Sequence, residues 1–197
     1  MAWSVHYSTG VSRRVARGFT LIEMMVVVVI VSVLAMLAVV GYRRLILSSE
    51  VSEATNMVQN IRVAQESYHS ETQQYAPISA ALGTAQPSLW YPQGTPVGAT
   101  LTAWGGQCTG CNLDWSVLPL HVDGPVRFGY ATTAGNAGSQ PAWSFTVNGA
   151  TMTLPTTSAT DWYVVAATCD LDNNGPPNTS VYTTSWTNQV FVDKEGN

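Results

Sequence analysis

The sequence predicts an α+β fold: one long amino-terminal helix whose first half stands clear of a head in which the second half packs on a four-stranded antiparallel sheet. Three observations predict it. Phe19 to Tyr75 contains no proline and carries apolar residues at helical spacing. Two-residue alternation appears only after about residue 126. Asn148-Gly149 then separates two alternating runs, a strong signal for a two-residue hairpin. The 197 residues are 46% apolar and only 10% charged, against about 25% charged in an average soluble protein. That composition suits one domain with a real core and argues against a disordered chain.

The leader comes first. Residues 1–18 hold Arg13, Arg14 and Arg17 and no acid, and the apolar run Phe19 to Val40 follows, with Glu23 its only charge. About 22 residues at ~1.5 Å rise cover roughly 30 Å, enough to cross a bilayer. The basic leader keeps its own side cytoplasmic and sends the remainder across. Arg43 and Arg44 weaken that bias without reversing it. A secretory signal peptide would carry its unusual residues after the apolar core, whereas here they precede it.

The helical pattern continues past the span. Leu45, Ile46, Val51, Ala54, Val58, Ile61, Ala64 and Tyr68 recur three and four apart, and Pro77 is a stop signal shortly after Tyr75. A helix of about 57 residues would be ~85 Å long, more than this head needs, so its first half must protrude into a bilayer or pack against copies of itself. Residues 76–125 are rich in Gly, Pro, Thr and Ala and read as an irregular loop region. The sheet is expected within 126–168, from Val126 to Tyr130, Trp143 to Val147, Thr151 to Leu154 and Asp161 to Ala167. The segment 169–197 would be held by a disulfide, a metal or strand pairing. No internal repeat is evident.

The junction Arg17-Gly18-Phe19-Thr20-Leu21-Ile22-Glu23-Met24-Met25 resembles the prepilin motif of type IV pilins, most nearly the type IVa kind. The resemblance extends through Ser52-Glu53-Ala54 and Ala64-Gln65-Glu66-Ser67-Tyr68 to Tyr75. It implies a pilin fold divided into a removed leader (1–18), a transmembrane and assembly half-helix (19–41) and a head (42–197). It implies cleavage between Gly18 and Phe19 by a prepilin peptidase that also methylates the Phe19 nitrogen. It further implies that Glu23 pairs with the Phe19 ammonium of a neighbouring subunit, setting the register of assembly. Without a partner, Glu23 is a lone carboxylate held protonated in lipid. Two features depart from many family members. Ser32 stands where they carry glycine, and Val40-Gly41 where they carry proline, so no proline kink is expected. Gly41 costs a helix only about 1 kcal/mol relative to alanine.

Cys108-Thr109-Gly110-Cys111 is a CxxC without the strand-then-helix setting of a redox site, and a structural disulfide is the plain reading. Cys169 makes the count odd. Either one pair forms and one thiol stays buried, or Cys169 bonds to Cys108 or Cys111. Asp170-Leu171-Asp172-Asn173-Asn174-Gly175 opens like an oxygen-ligand calcium loop, with Asp170, Asp172 and Asn174 as ligands. The closing glutamate of an EF-hand is replaced by Val181, so a Ca2+ site completed from elsewhere and an Asx-rich turn both remain open. Tyr42, Tyr68 and Tyr75 read as core and interface packing, too few and too widely spaced with Phe19 to carry electrons along a filament. The head tryptophans read as core, and His69 and His121 as polar surface. No nucleophile, base and orienter can be placed together, so no enzyme is expected and no cofactor is required.

The expected function is that of a type IV pilus subunit for adhesion, motility or DNA uptake, polymerising with itself or with other pilins. The precursor would sit in the inner membrane, meet the peptidase and an assembly platform with its ATPases, and end in an extracellular surface filament. The alternatives are a periplasmic pseudopilin of a type II secretion system and a membrane-anchored binding domain that never polymerises. Loss of the leader leaves five of eight basic residues against twelve acidic ones, a formal charge of −7. Any contact with DNA would then be local rather than along a shaft.

Overall fold

The computed structural model describes residues 18–80, 90–92, 100–138, 144–147, 150–153, 157–171 and 179–193. It contains one long helix, α1 (Leu21–Thr72), a 3-10 turn (Trp115–Val117) and six strands: β1 (Gly129–Gly135), β2 (Ser144–Val147), β3 (Ala150–Thr153), β4 (Trp162–Cys169), β5 (Thr179–Thr184) and β6 (Phe191–Asp193). The chain divides into two compact units, one ending at Tyr42 and the other running from Arg43 to the C-terminus.

In the first unit every described side chain, residues 18–42, is exposed. Leu, Val, Ile and Met occupy all sides of the helix, so no polar face exists to set against water. The helix in the second unit is amphipathic. Val51, Ala54, Met57, Val58, Ile61, Ala64 and Gln65 are buried along one stripe, which matches the expected spacing from Val51 onward. Leu45 and Ile46, two members of the same apolar pattern, are exposed.

α1 ends at Thr72 rather than at about 75. Gln73 adopts a left-handed conformation at φ 62°, and its N–H donates to the carbonyl of His69 at 2.9 Å. That single bond closes the last turn, with glutamine in a position usually taken by glycine.

The four-stranded antiparallel sheet is present, but its membership corrects the sequence expectation. Its order is β1-β4-β5-β6, and β2 pairs with β3 in a separate two-stranded sheet. The sheet therefore does not lie within 126–168: β5 and β6 come from the C-terminal segment 169–197, which is held by strand pairing. The hairpin is antiparallel with Val147 opposite Ala150, as Asn148-Gly149 predicts, although those two residues lie outside the described ones.

β4 explains the architecture. All eight of its side chains are buried, because both faces of the central strand are covered. Tyr163, Val165, Ala167 and Cys169 join the core with α1, while Ala166 packs with Trp90, Ala131 and Tyr182 in a second cluster. A continuous apolar run is what a strand buried on two sides requires. β1 begins at Gly129, later than the expected Val126, because Val126 makes a lone antiparallel bridge to Thr102. Gly135 lies opposite Trp162 in the register. A Cβ on Gly135 would meet the indole at 2.7 Å, so the glycine is required where the ring crosses the strand.

Candidate processing and assembly site

α1 begins with a local device. Thr20 donates from both its backbone nitrogen and its hydroxyl to Glu23 Oε2, each at 2.8 Å. The Glu23 nitrogen donates back to Thr20 Oγ1 at 3.3 Å. This is a capping box: two amide donors at the helix start find acceptors in each other's side chains. The signature Thr20-Leu21-Ile22-Glu23 was legible in the sequence but was absorbed into the longer junction motif. Both carboxylate bonds from described residues end on Oε2, and no described residue bonds to Oε1. Phe19, Ile22, Glu23, Met24, Val26 and Val27 line an open depression of about 420 Å3 around this carboxylate. Gly18 and Phe19 are exposed, so the expected cleavage junction is accessible. Arg13, Arg14, Arg17 and the rest of the leader lie outside the described residues.

The head is fastened to α1 by polar side chains. Gln65 is completely buried. Its amide donates to the Ala76 carbonyl at 2.9 Å and to Thr132 Oγ1 at 3.0 Å, and its oxygen accepts from the Ala76 nitrogen at 2.9 Å. One side chain thus satisfies the backbone leaving α1 and ties it to β1. Arg127 Nε lies 3.3 Å from Glu50 Oε1, and the Arg127 amide donates to Glu53 at 3.3 Å. Glu66 accepts from Tyr163 at 3.1 Å and from Tyr75 at 3.2 Å, and Arg62 bonds to Asn188. Burial first, and then the Glu66 carboxylate, pushes the Tyr75 hydroxyl up to about 12 and raises Tyr163 well above the usual tyrosine range.

Cys108 and Cys111 form the disulfide, and the Cys108 amide donates to Asp114 Oδ1 at 2.9 Å. Cys169 is a free, buried thiol, pushed up to about 12 chiefly by burial. Asp172 and Asn174 lie outside the described residues. Among the described ones, including Asp170, no group of three or more His, Cys, Asp or Glu could hold a metal.

Trp90, Trp115 and Trp162 are core residues. Trp186 stacks on Trp162 with ring centroids 5.9 Å apart, while Trp143 is outside the described residues. His69 is more engaged than a plain surface residue: it stacks on Tyr75 at 4.2 Å and lies 3.9 Å from Asp161. His121 is exposed and pairs with Asp123 at 2.9 Å.

Fold and junction define a class: a chain with an α+β head and an N-terminal helix long and apolar enough to cross a membrane. Comparison with known proteins narrows it. Residues 13–39 match the family model described as the prokaryotic N-terminal methylation motif. The chain is 34% identical over 92 residues, 47% of its length and 40% of the relative's, to a protein named type IV major pilin protein PilA from Myxococcus xanthus (strain DK1622). It is 36% identical over 73 residues, 37% of its length and 48% of the relative's, to fimbrial protein EcpC from Eikenella corrodens. The chain thus aligns over less than half the length of these curated relatives. No solved structure matches it. Motif and relatives make the N-terminal part of the chain similar to type IV pilins, and the α+β architecture is consistent with a pilin fold.

Proposed function

We propose that this chain is the structural subunit of a type IV pilus, made as an inner-membrane precursor, cut between Gly18 and Phe19, methylated at Phe19 and polymerised through Phe19 to Val40. The carrying observation is the coincidence of the methylation motif over 13–39 with a stretch of α1, residues 21–42, whose apolar side chains are all exposed. A surface this large is stable in a bilayer or in a bundle of copies, since leaving it in water costs tens of kcal/mol at about 25 cal/mol per Å2.

Glu23 sets the register. With Oε2 occupied by Thr20, Oε1 is available to the Phe19 ammonium that cleavage creates on another subunit, and pairing removes the cost of an isolated charge among apolar side chains. The peptidase, the assembly platform and its ATPases supply processing and force, and the filament serves adhesion, surface motility or DNA uptake. The reading requires no cofactor.

Processing tests it. Blotting of cells that make Gly18→Glu should show only the longer precursor in the membrane and no sheared filaments. Wild-type filaments from that variant would contradict the reading.

A further inference from the structure

We infer that a groove on the head, between α1 and the segment 121–126, receives the Arg43-Arg44 pair of a second copy of this chain. The inference deepens the filament reading and rests on it. The groove has a volume of about 260 Å3 and lies wholly within the second unit. Glu53, Asn56, Asn60 and Asp123 supply its oxygen acceptors, Asp123 at the exposed edge where His121, also a lining residue, lies 2.9 Å away and would have to yield to an incoming guanidinium, and Met57 and Pro125 contribute apolar wall. No arginine or lysine is among its described lining residues. An apolar wall beneath carboxylate and amide oxygens suits arginine. The methylene stem lies on the wall, and the planar guanidinium directs several N–H donors at the acceptors.

The chain also carries a matching pair of cations. Arg127 is bound to Glu50 and Arg62 to Asn188, whereas Arg43 and Arg44 are exposed. Neither makes an ion pair or hydrogen bond among the described residues. Arg43 precedes Ile61 by eighteen residues, about five turns at 3.6 residues per turn, and so shares its side of α1. That side is covered by the head from Val51 onward and uncovered at Arg43.

A chain cannot fill its own groove. Arg44 and Glu53 are nine residues apart in one helix, about 14 Å along its axis, and α1 runs through both. Charge points to a second copy as the occupant, since the processed chain is acidic at −7 and these two adjacent arginines have no partner among the described residues.

The test uses the full chain in cells that assemble it. The double variant R43E/R44E and the single variant D123R should each lower the yield of sheared filaments about tenfold or more, and their combination should restore it to within about threefold of wild type. Processing at Gly18-Phe19 and membrane insertion should be unchanged, because removing positive charge after the span strengthens the intended orientation. A second readout is cross-linking of R44C with D123C, expected to give a ladder of linked subunits in filaments. Wild-type yield from R43E/R44E, a combination no better than its parents, or no ladder from filaments that do form would overturn the groove assignment alone. Failure of the unaltered chain to enter any filament would instead overturn the filament reading, and the inference with it.

Discussion

Residues 21–42 and 43–72 belong to one helix and follow opposite rules. The first stretch has apolar side chains on every side and buries none of them. The second keeps a narrow apolar stripe and buries Val51, Ala54, Met57, Val58, Ile61 and Ala64 beneath its own sheet. Helical propensity does not separate them. The distribution of polar residues does: Glu53, Asn56, Asn60 and Arg62 give the second stretch a face that water can solvate. One part of the helix completes its packing within the chain, and the other needs a bilayer or copies.

The largest way to break this contrast is at Glu23. Glu23→Ala should leave membrane insertion and head stability intact and reduce filament yield by about tenfold or more, since an assembly contact is lost from the stretch without internal packing. Shearing and blotting would check it. Gln65→Ala should do the reverse, destabilising the head by about 3 kcal/mol because the buried Ala76 N–H and C=O lose their partner. Thermal melting of detergent-solubilised chain should fall by about 6–12 °C.

Gly135→Ala should cost about 1–3 kcal/mol, as Trp162 must shift from its place over β1, and the same melting curve would show it. Alkaline pH should act more gently and only on the head. Tyr75 and Cys169 are raised to about 12 from reference values of 10.0 and 9.0. The folded state therefore holds their protons more tightly than the unfolded state does. The stability they contribute is complete below about pH 9 and is lost as pH rises through about 12. Melting temperature should decline across that window, while Cys169 resists alkylation at pH 8 until the head unfolds.

The same contrast explains what the sequence made legible. A long apolar run and a three-and-four stripe are strong periodic signals, and they located α1, the exposed half and most of the helix face in the core. The sheet was harder. β4 could be read from Tyr163-Val164-Val165, but β1 is mostly Gly, Ala and Thr with Tyr130 its one large side chain, and its glycine at 135 is explained only by the indole opposite. β5 and β6 lie in a Thr- and Asn-rich segment whose apolar residues form only the short runs Val181-Tyr182 and Val190-Phe191-Val192, so their place in the sheet comes from pairing with β4 and with each other rather than from a long alternating pattern. No sequence pattern marks Gln65 as buried; it is, because its partners are backbone atoms eleven residues on and a threonine on β1. At the junction, Gly18, Phe19 and Glu23 were visible as a motif. The Thr20-to-Glu23 capping-box spacing was there as well, but only the structure shows that it holds Oε2.

The central claim is that Phe19 to Val40 ends up packed among copies in a filament. Mass spectrometry of filaments sheared from cells that make this chain tests it most directly. The account predicts a chain that begins at N-methylated Phe19, lacks residues 1–18 and is present in the sheared fraction. A processed chain that stays entirely in the membrane, absent from every sheared filament, would contradict it.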